Sequence, residues 1–169
     1  MNVPNILTLF RLFLIPVFVF IFFSGMTNSL LYSIFVFLIA GFTDILDGYI
    51  ARKYNMITKW GTVLDPLADK LMLLSVLTCL VIVDLAPVWV LIIIAAKEVF
   101  MIVAGTILYK ANSIMPSNFF GKISTLLFYI SIFILAFDVR IGDYFLYIAV
   151  ASSIIAFINY FILYHNKKK

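Results

Sequence analysis

Cysteine and histidine are nearly absent from this 169-residue chain, with one of each. A lone Cys79 leaves no partner for an intrachain disulfide, and its place in an apolar run reads as an inert core thiol. His165 has no second histidine with which to share a metal, so a zinc site built from His and Cys ligands is excluded. Charge is scarce: 12% of residues are charged, against roughly 25% in soluble domains, which excludes an ordinary water-soluble globule. Glycine and proline are few, and there is no low-complexity tract and no internal repeat. Alternation of apolar and polar residues over ~10-residue strands is missing too, and with it the pattern of a membrane β-barrel.

What the chain has instead is apolar length. Hydrophobic residues make up 65% of it. They gather into six runs, near or above the ~20 residues that cross a bilayer as a helix: Ile6–Phe23, Leu30–Ile50, Thr62–Val83, Val88–Leu108, Ile123–Phe137 and Tyr144–Tyr164. The breaks between them are polar or contain turn formers. In hydrocarbon every backbone polar group needs an internal partner, which helices provide. The expectation is an all-α integral membrane protein, a bundle of six transmembrane helices forming a single domain over residues 1–169, with a short N-terminal amphipathic segment. In that segment Asn5, Thr8 and Arg11 are three apart and share a helix face. It reads either as an entry helix with Pro4 in its first turn and Arg11 snorkelling to the surface, or as a polar lip over a site. The first run lacks a basic leader and a small-residue cleavage site, so it reads as a span rather than a signal peptide.

Six spans place both termini on one side. Arg52, Lys53, Lys59, Lys110, Lys122, Lys167, Lys168 and Lys169 then share a face, and the opposite face carries only Arg140, near Asp84, Asp138 and Asp143. The positive-inside rule makes the basic face cytoplasmic, which predicts a multi-pass protein of the cell membrane with cytoplasmic N- and C-termini. The net charge of +4 is thereby a topology signal; the bilayer is the expected partner, and nucleic acid is not. Trp60, Trp89, Tyr160 and Tyr164 near the span ends fit an aromatic belt.

Against this background stands the string Asp44-x2-Asp47-Gly48-x2-Ala51-Arg52-x8-Gly61-x3-Asp65-x3-Asp69. One carboxylate at membrane depth costs ~2.5–3.5 kcal/mol on insertion scales, so four in one stretch need a common purpose. Asp44 and Asp47 project from one face of the second helix, and Asp65 and Asp69 from one face of the third. A short connection makes these helices antiparallel neighbours, with Gly48 permitting close approach and Pro66 marking either the start of the third helix or a kink in it. Four carboxylates do not all stay ionised at close range without compensating charge. Hard divalent cations, held by oxygen ligands beside substrate phosphates, supply it, and a two-metal site clamps the attacking and leaving oxygens of a phosphoryl displacement. Arg52 adds a forked donor for phosphate, with Thr58 and Lys59 close to the same mouth. The competing reading is an ion network with Arg52, Lys53, Lys59 and Lys70 at the water boundary. It accounts for any one aspartate but not for the whole spacing.

That string matches, at every fixed position, the signature of the CDP-alcohol phosphatidyltransferase family, which the chain resembles over nearly its whole length. The opening Pro4-Asn5-x2-Thr8-x2-Arg11 and the run Leu64-Asp65-Pro66-Leu67-Ala68-Asp69-Lys70 are similar to the bacterial branch that uses glycerol-3-phosphate. The resemblance implies a membrane enzyme that transfers a phosphatidyl group from CDP-diacylglycerol to a hydroxyl acceptor and releases CMP. By motif position it implies two Mg²⁺ (or Mn²⁺) ions, with Asp44 and Asp65 touching both, Asp47 completing one site and Asp69 the other. Asp69 would also be the general base. Gly48, Arg52 and Thr58 would contact the CDP moiety, with Asn5, Thr8 and Arg11 nearby. The resemblance also implies a homodimer.

The acceptor is less clearly written. Lys97-Glu98 lies deep in the fourth run, where a charge is a functional hypothesis by default; a structural pairing of the two is less natural because adjacent helical residues point apart, and Glu98 is expected to pack against a basic partner. Lys97 and Lys122 are the candidate ligands for an acceptor phosphate. The glycerol-3-phosphate branch usually carries Arg-Glu here and a second arginine eight residues on; this chain has Lys97-Glu98 and Gly105. The segment from Lys97 to Ser131 is closer to cardiolipin synthases of the same family, which use phosphatidylglycerol. Glycerol-3-phosphate is placed first and phosphatidylglycerol second. An ion or proton transporter is the reading from another class, but it predicts ionisable residues spread across the membrane depth, whereas these acids cluster at one face.

Overall fold

The structure, a computed structural model, describes residues 3–54, 59–110 and 119–167. Six α-helices run through them: α1 (Val3–Phe22), α2 (Ser29–Lys53), α3 (Lys59–Ile82), α4 (Val88–Lys110), α5 (Phe119–Leu135) and α6 (Val139–Lys167). No strand occurs among the described residues. Each helix contains one of the six apolar runs almost whole. The amphipathic opening is not a separate segment, however. It is the first half of α1, continuous with the apolar run behind it. Pro4 sits in the first turn, where its missing N–H is one the helix leaves unpaired anyway. Pro66 falls inside α3 rather than at its start.

Three of these helices are long and apolar enough to cross a membrane, over Pro4–Phe22, Ser29–Ala51 and Val139–Asn159. Their outward positions carry large apolar side chains, among them Phe13, Phe20, Phe35, Phe42 and Ile45. Such a surface is unstable against water and suits hydrocarbon. The all-helical membrane character predicted from composition is therefore present.

The helices pack as two units, residues 1–85 and residues 86–169. In the first, α1 packs along both α2 and α3, which touch each other over a shorter stretch. The inward stripe of α1 is Thr8, Arg11, Leu14, Phe18 and Phe22, all buried. That of α2 is Ser33, Phe37, Ala40 and Asp47, and that of α3 runs through Ala68, Met72, Val76 and Leu80. Each follows the 3.6-residue period of a helix face. The stripes are apolar along most of their length and polar at one end: the N-terminal half of α1, the C-terminal end of α2 and, through Asp65 and Asp69, the N-terminal half of α3. The unit ends at Asp84, whose φ of 56° places it in the left-handed region. Leu85 N–H donates to the Leu80 carbonyl at 2.9 Å, closing α3 as a glycine usually does.

In the second unit α5 and α6 lie closely together. Gly142 permits this: a Cβ there would stand 2.8 Å from Leu135 Cα. The α4 helix meets α6 through Phe100 edge-on to Phe157, with ring centroids 5.0 Å apart, and through Trp89 stacked on Tyr147 at 5.7 Å. Between them lies a cavity of about 390 Å³, lined by Ile93, Ala96, Lys97, Ser153 and Ile154 among others.

Candidate active site

The polar ends of the three stripes in the first unit meet at one place, and Arg11 is at its centre. Its Nη1 lies 2.6 Å from Asp44 Oδ1, and its Nη2 donates to Asp47 Oδ2. Nη1 also reaches the Asp65 backbone carbonyl at 3.4 Å. The Arg11 side chain is 1% exposed and Asp47 3%, whereas Asp44 is 41% exposed and opens the cluster outward. Three residues earlier on the same face, the Thr8 hydroxyl donates to the Asp65 carboxylate, with the Pro4 carbonyl 3.1 Å from its oxygen. Asp69 pairs with Lys70, whose Nζ is 3.2 Å from Oδ2. Asp44 is within electrostatic reach of Asp69, Asp65, Arg11 and Lys70, and Asp47 of Asp65. Asp44, Asp47 and Asp65 thus meet around Arg11, with Asp69 one turn beyond Asp65 on α3.

Two features differ from the sequence expectation. First, the carboxylates do not simply face one another across α2 and α3; α1 supplies Thr8 and Arg11 between them. The signal was present in the three-residue spacing of Asn5, Thr8 and Arg11, whose face continues into Leu14, Phe18 and Phe22. Arg11 does not snorkel to the surface but is buried. Second, Lys97 Nζ donates to Glu98 at 2.8 Å, although the two are sequence neighbours. Both side chains are long enough to bend together, and in an apolar setting pairing outweighs the outward divergence of their Cβ atoms.

The remaining predicted residues fall as follows. Asn5 and Gly48 are half-buried, the latter directly after Asp47 on α2. Arg52 is in the last turn of α2 and Lys122 in the first turn of α5, but their side chains, like all of Thr58, lie outside the described residues. Lys53, offered as a partner for the acids in the ion-network reading, stands over the Tyr49 and Tyr54 rings at 5.4 and 5.8 Å.

The donor chemistry suits a hard divalent cation: four carboxylate groups, no sulfur or imidazole, and, among the described residues, only Arg11 and Lys70 in ion pairs with them. The arrangement is not a ready-made cage, since among the described residues no three acidic, histidine or cysteine side chains stand close enough to hold an ion. Arg11 occupies the position between Asp44 and Asp47.

The sequence model of the CDP-alcohol phosphatidyltransferases matches residues 1–155. The chain belongs to the CDP-alcohol phosphatidyltransferase family. Among its relatives is the CDP-diacylglycerol–glycerol-3-phosphate 3-phosphatidyltransferase of Bacillus subtilis, 38% identical over 73% of this chain and 70% of that one. The protein of the same name from Rickettsia felis is 33% identical over 95% of this chain and 93% of its own length. A CMP-forming cardiolipin synthase of Streptomyces coelicolor is 34% identical over 74% of this chain and 60% of that one. This chain is therefore a phosphatidyltransferase, and the transporter reading finds no support in its relatives.

Proposed function

We propose that this membrane enzyme transfers the phosphatidyl group of CDP-diacylglycerol to glycerol-3-phosphate, releasing CMP and forming phosphatidylglycerophosphate. The observation that carries the reading is the gathering of Asp44, Asp47, Asp65 and Asp69 at one polar end of the α1–α3 unit. It is supported by relatives bearing that activity in their names, one of them over nearly the full chain.

Asp44, Asp47, Asp65 and Asp69 would hold Mg²⁺ or Mn²⁺, most simply two ions, in keeping with the family's use of divalent metal. When bound, the ions neutralise charge on the pyrophosphate and on the departing CMP. Asp69 takes the proton of the acceptor hydroxyl, a poor nucleophile until a positioned base engages it. Gly48, Arg52, Thr58, Asn5, Thr8 and Arg11 contact the CDP moiety, and Lys97 and Lys122 bind the acceptor phosphate. The family match spans both packed units, which supports one catalytic domain over residues 1–169. The lengths of α3 and α4, 24 and 23 residues, together with the apolar α5 of 17 residues, at the short end of the spanning range, support six spans in all, and the asymmetry of Lys and Arg supports cytoplasmic termini in the cell membrane. A homodimer completes the reading.

The second reading is a cardiolipin synthase, favoured by the Streptomyces coelicolor relative and by Lys97-Glu98 and Gly105 where the first branch carries arginines. CMP release from CDP-diacylglycerol in micelles, with each acceptor offered alone, separates the two. Release with glycerol-3-phosphate, abolished by EDTA and restored by Mg²⁺ or Mn²⁺, is expected. Release only with phosphatidylglycerol establishes the second reading, and full turnover in excess chelator overturns the metal assignment.

A further inference from the structure

Arg11 touches three of the four residues assigned to the metals: the carboxylates of Asp44 and Asp47 and the backbone carbonyl of Asp65. It does so with its donors incompletely used. Its Nε is buried with no acceptor, and the Asp65 carbonyl contact is long at 3.4 Å. Buried donors in a finished structural ion pair are almost always satisfied, so this guanidinium retains capacity for a second anionic partner. Its like charge also opposes a dication placed against the same two carboxylates.

We propose that Arg11 is a positioning residue that holds Asp44 and Asp47 together and yields them to the metal, its guanidinium passing to a phosphate of the anionic donor as the ion enters. This rests on the metal reading above. Asp44, 41% exposed, offers the ion a way in, while Asp47, 3% exposed, is reached next. A long flexible side chain makes the exchange without repacking α1, whose buried stripe of Leu14, Phe18 and Phe22 stays in place. The order of events is metal first and donor second, because the two Nη donors are released to the phosphate only when the ion takes Asp44 and Asp47.

The test is Mn²⁺ affinity, measured by electron paramagnetic resonance on the full chain in micelles, without substrate or turnover. A fixed structural counter-ion leaves CDP binding at saturating Mn²⁺ unchanged when it is removed, whereas one that passes to the donor phosphate weakens it. Arg11→Met should bind Mn²⁺ at least about fivefold more tightly, the low end of ordinary coupling between sites, and should bind CDP more weakly at saturating Mn²⁺. Arg11→Lys, which keeps the charge but loses the fork, should be intermediate. Unchanged or weaker Mn²⁺ binding in Arg11→Met overturns the proposal. If Arg11→Met does not fold, Arg11→Lys decides: its Mn²⁺ affinity must exceed that of the unaltered chain. No Mn²⁺ binding to the unaltered chain overturns the metal reading itself and this proposal with it.

Discussion

Arg11 on α1 is joined to Asp47 on α2 by an ion pair in which both side chains are buried, 1% and 3% exposed. The neighbouring pair of Arg11 with Asp44 is buried on one side only. Burial decides what each contributes, because a charge already facing water loses little when its partner is removed, whereas an enclosed one is left uncompensated.

Asp47→Ala should therefore destabilise the α1–α3 unit more than Asp44→Ala. Breaking a buried pair costs about 3–5 kcal/mol, while a partly exposed one contributes about 1 kcal/mol or less. Thermal unfolding in micelles without added metal compares the two. Equal losses would show that Asp44 and Asp47 are equivalent partners of Arg11.

Asp69→Asn tests the base. Asp69 stands at the polar end of α3, 17% exposed, beside Lys70. Its loss should lower kcat by at least ~10²-fold, the usual contribution of a general base, while CDP binding measured in saturating metal is retained. Turnover near that of the unaltered enzyme, with normal metal affinity, would move the role to another residue.

Gly142→Ala tests the α5–α6 contact. A methyl group there would lie 2.6 Å from Leu135 Cγ and 2.8 Å from Leu135 Cα. The nearby backbone atom cannot rotate away as a side-chain tip can, so overpacking should cost about 1–3 kcal/mol, read as a lowered midpoint of thermal unfolding. A midpoint unchanged from the original would show that α5 and α6 part without cost.

Orientation is open to cysteine labelling, since Cys79 is buried and gives little background. Tyr54 and Arg140 are both exposed. The charge asymmetry predicts that a membrane-impermeant reagent applied to intact cells modifies Arg140→Cys and spares Tyr54→Cys. The reverse pattern would invert the topology and place the CDP site outside.

Much of this protein was legible in its residues. Six apolar runs became six helices because, in an apolar setting, an unpaired backbone is too costly and the helix satisfies it locally. The string from Asp44 to Asp69 announced the site because chemistry that needs several carboxylates at membrane depth leaves few alternative reasons for their spacing. Wider comparison then placed the chain in its family. What periodicity could not say is which helix lies between which. The tertiary structure set α1 against both α2 and α3, which decided between the two readings of the Asn5, Thr8 and Arg11 face: Arg11 is the buried partner of Asp44 and Asp47, and Thr8 the partner of Asp65. It also bent Lys97 onto Glu98, its neighbour in sequence. Local spacing states which face a side chain leaves from, but the partner it meets is decided by packing, and at low dielectric a charge takes the nearest opposite charge that packing offers.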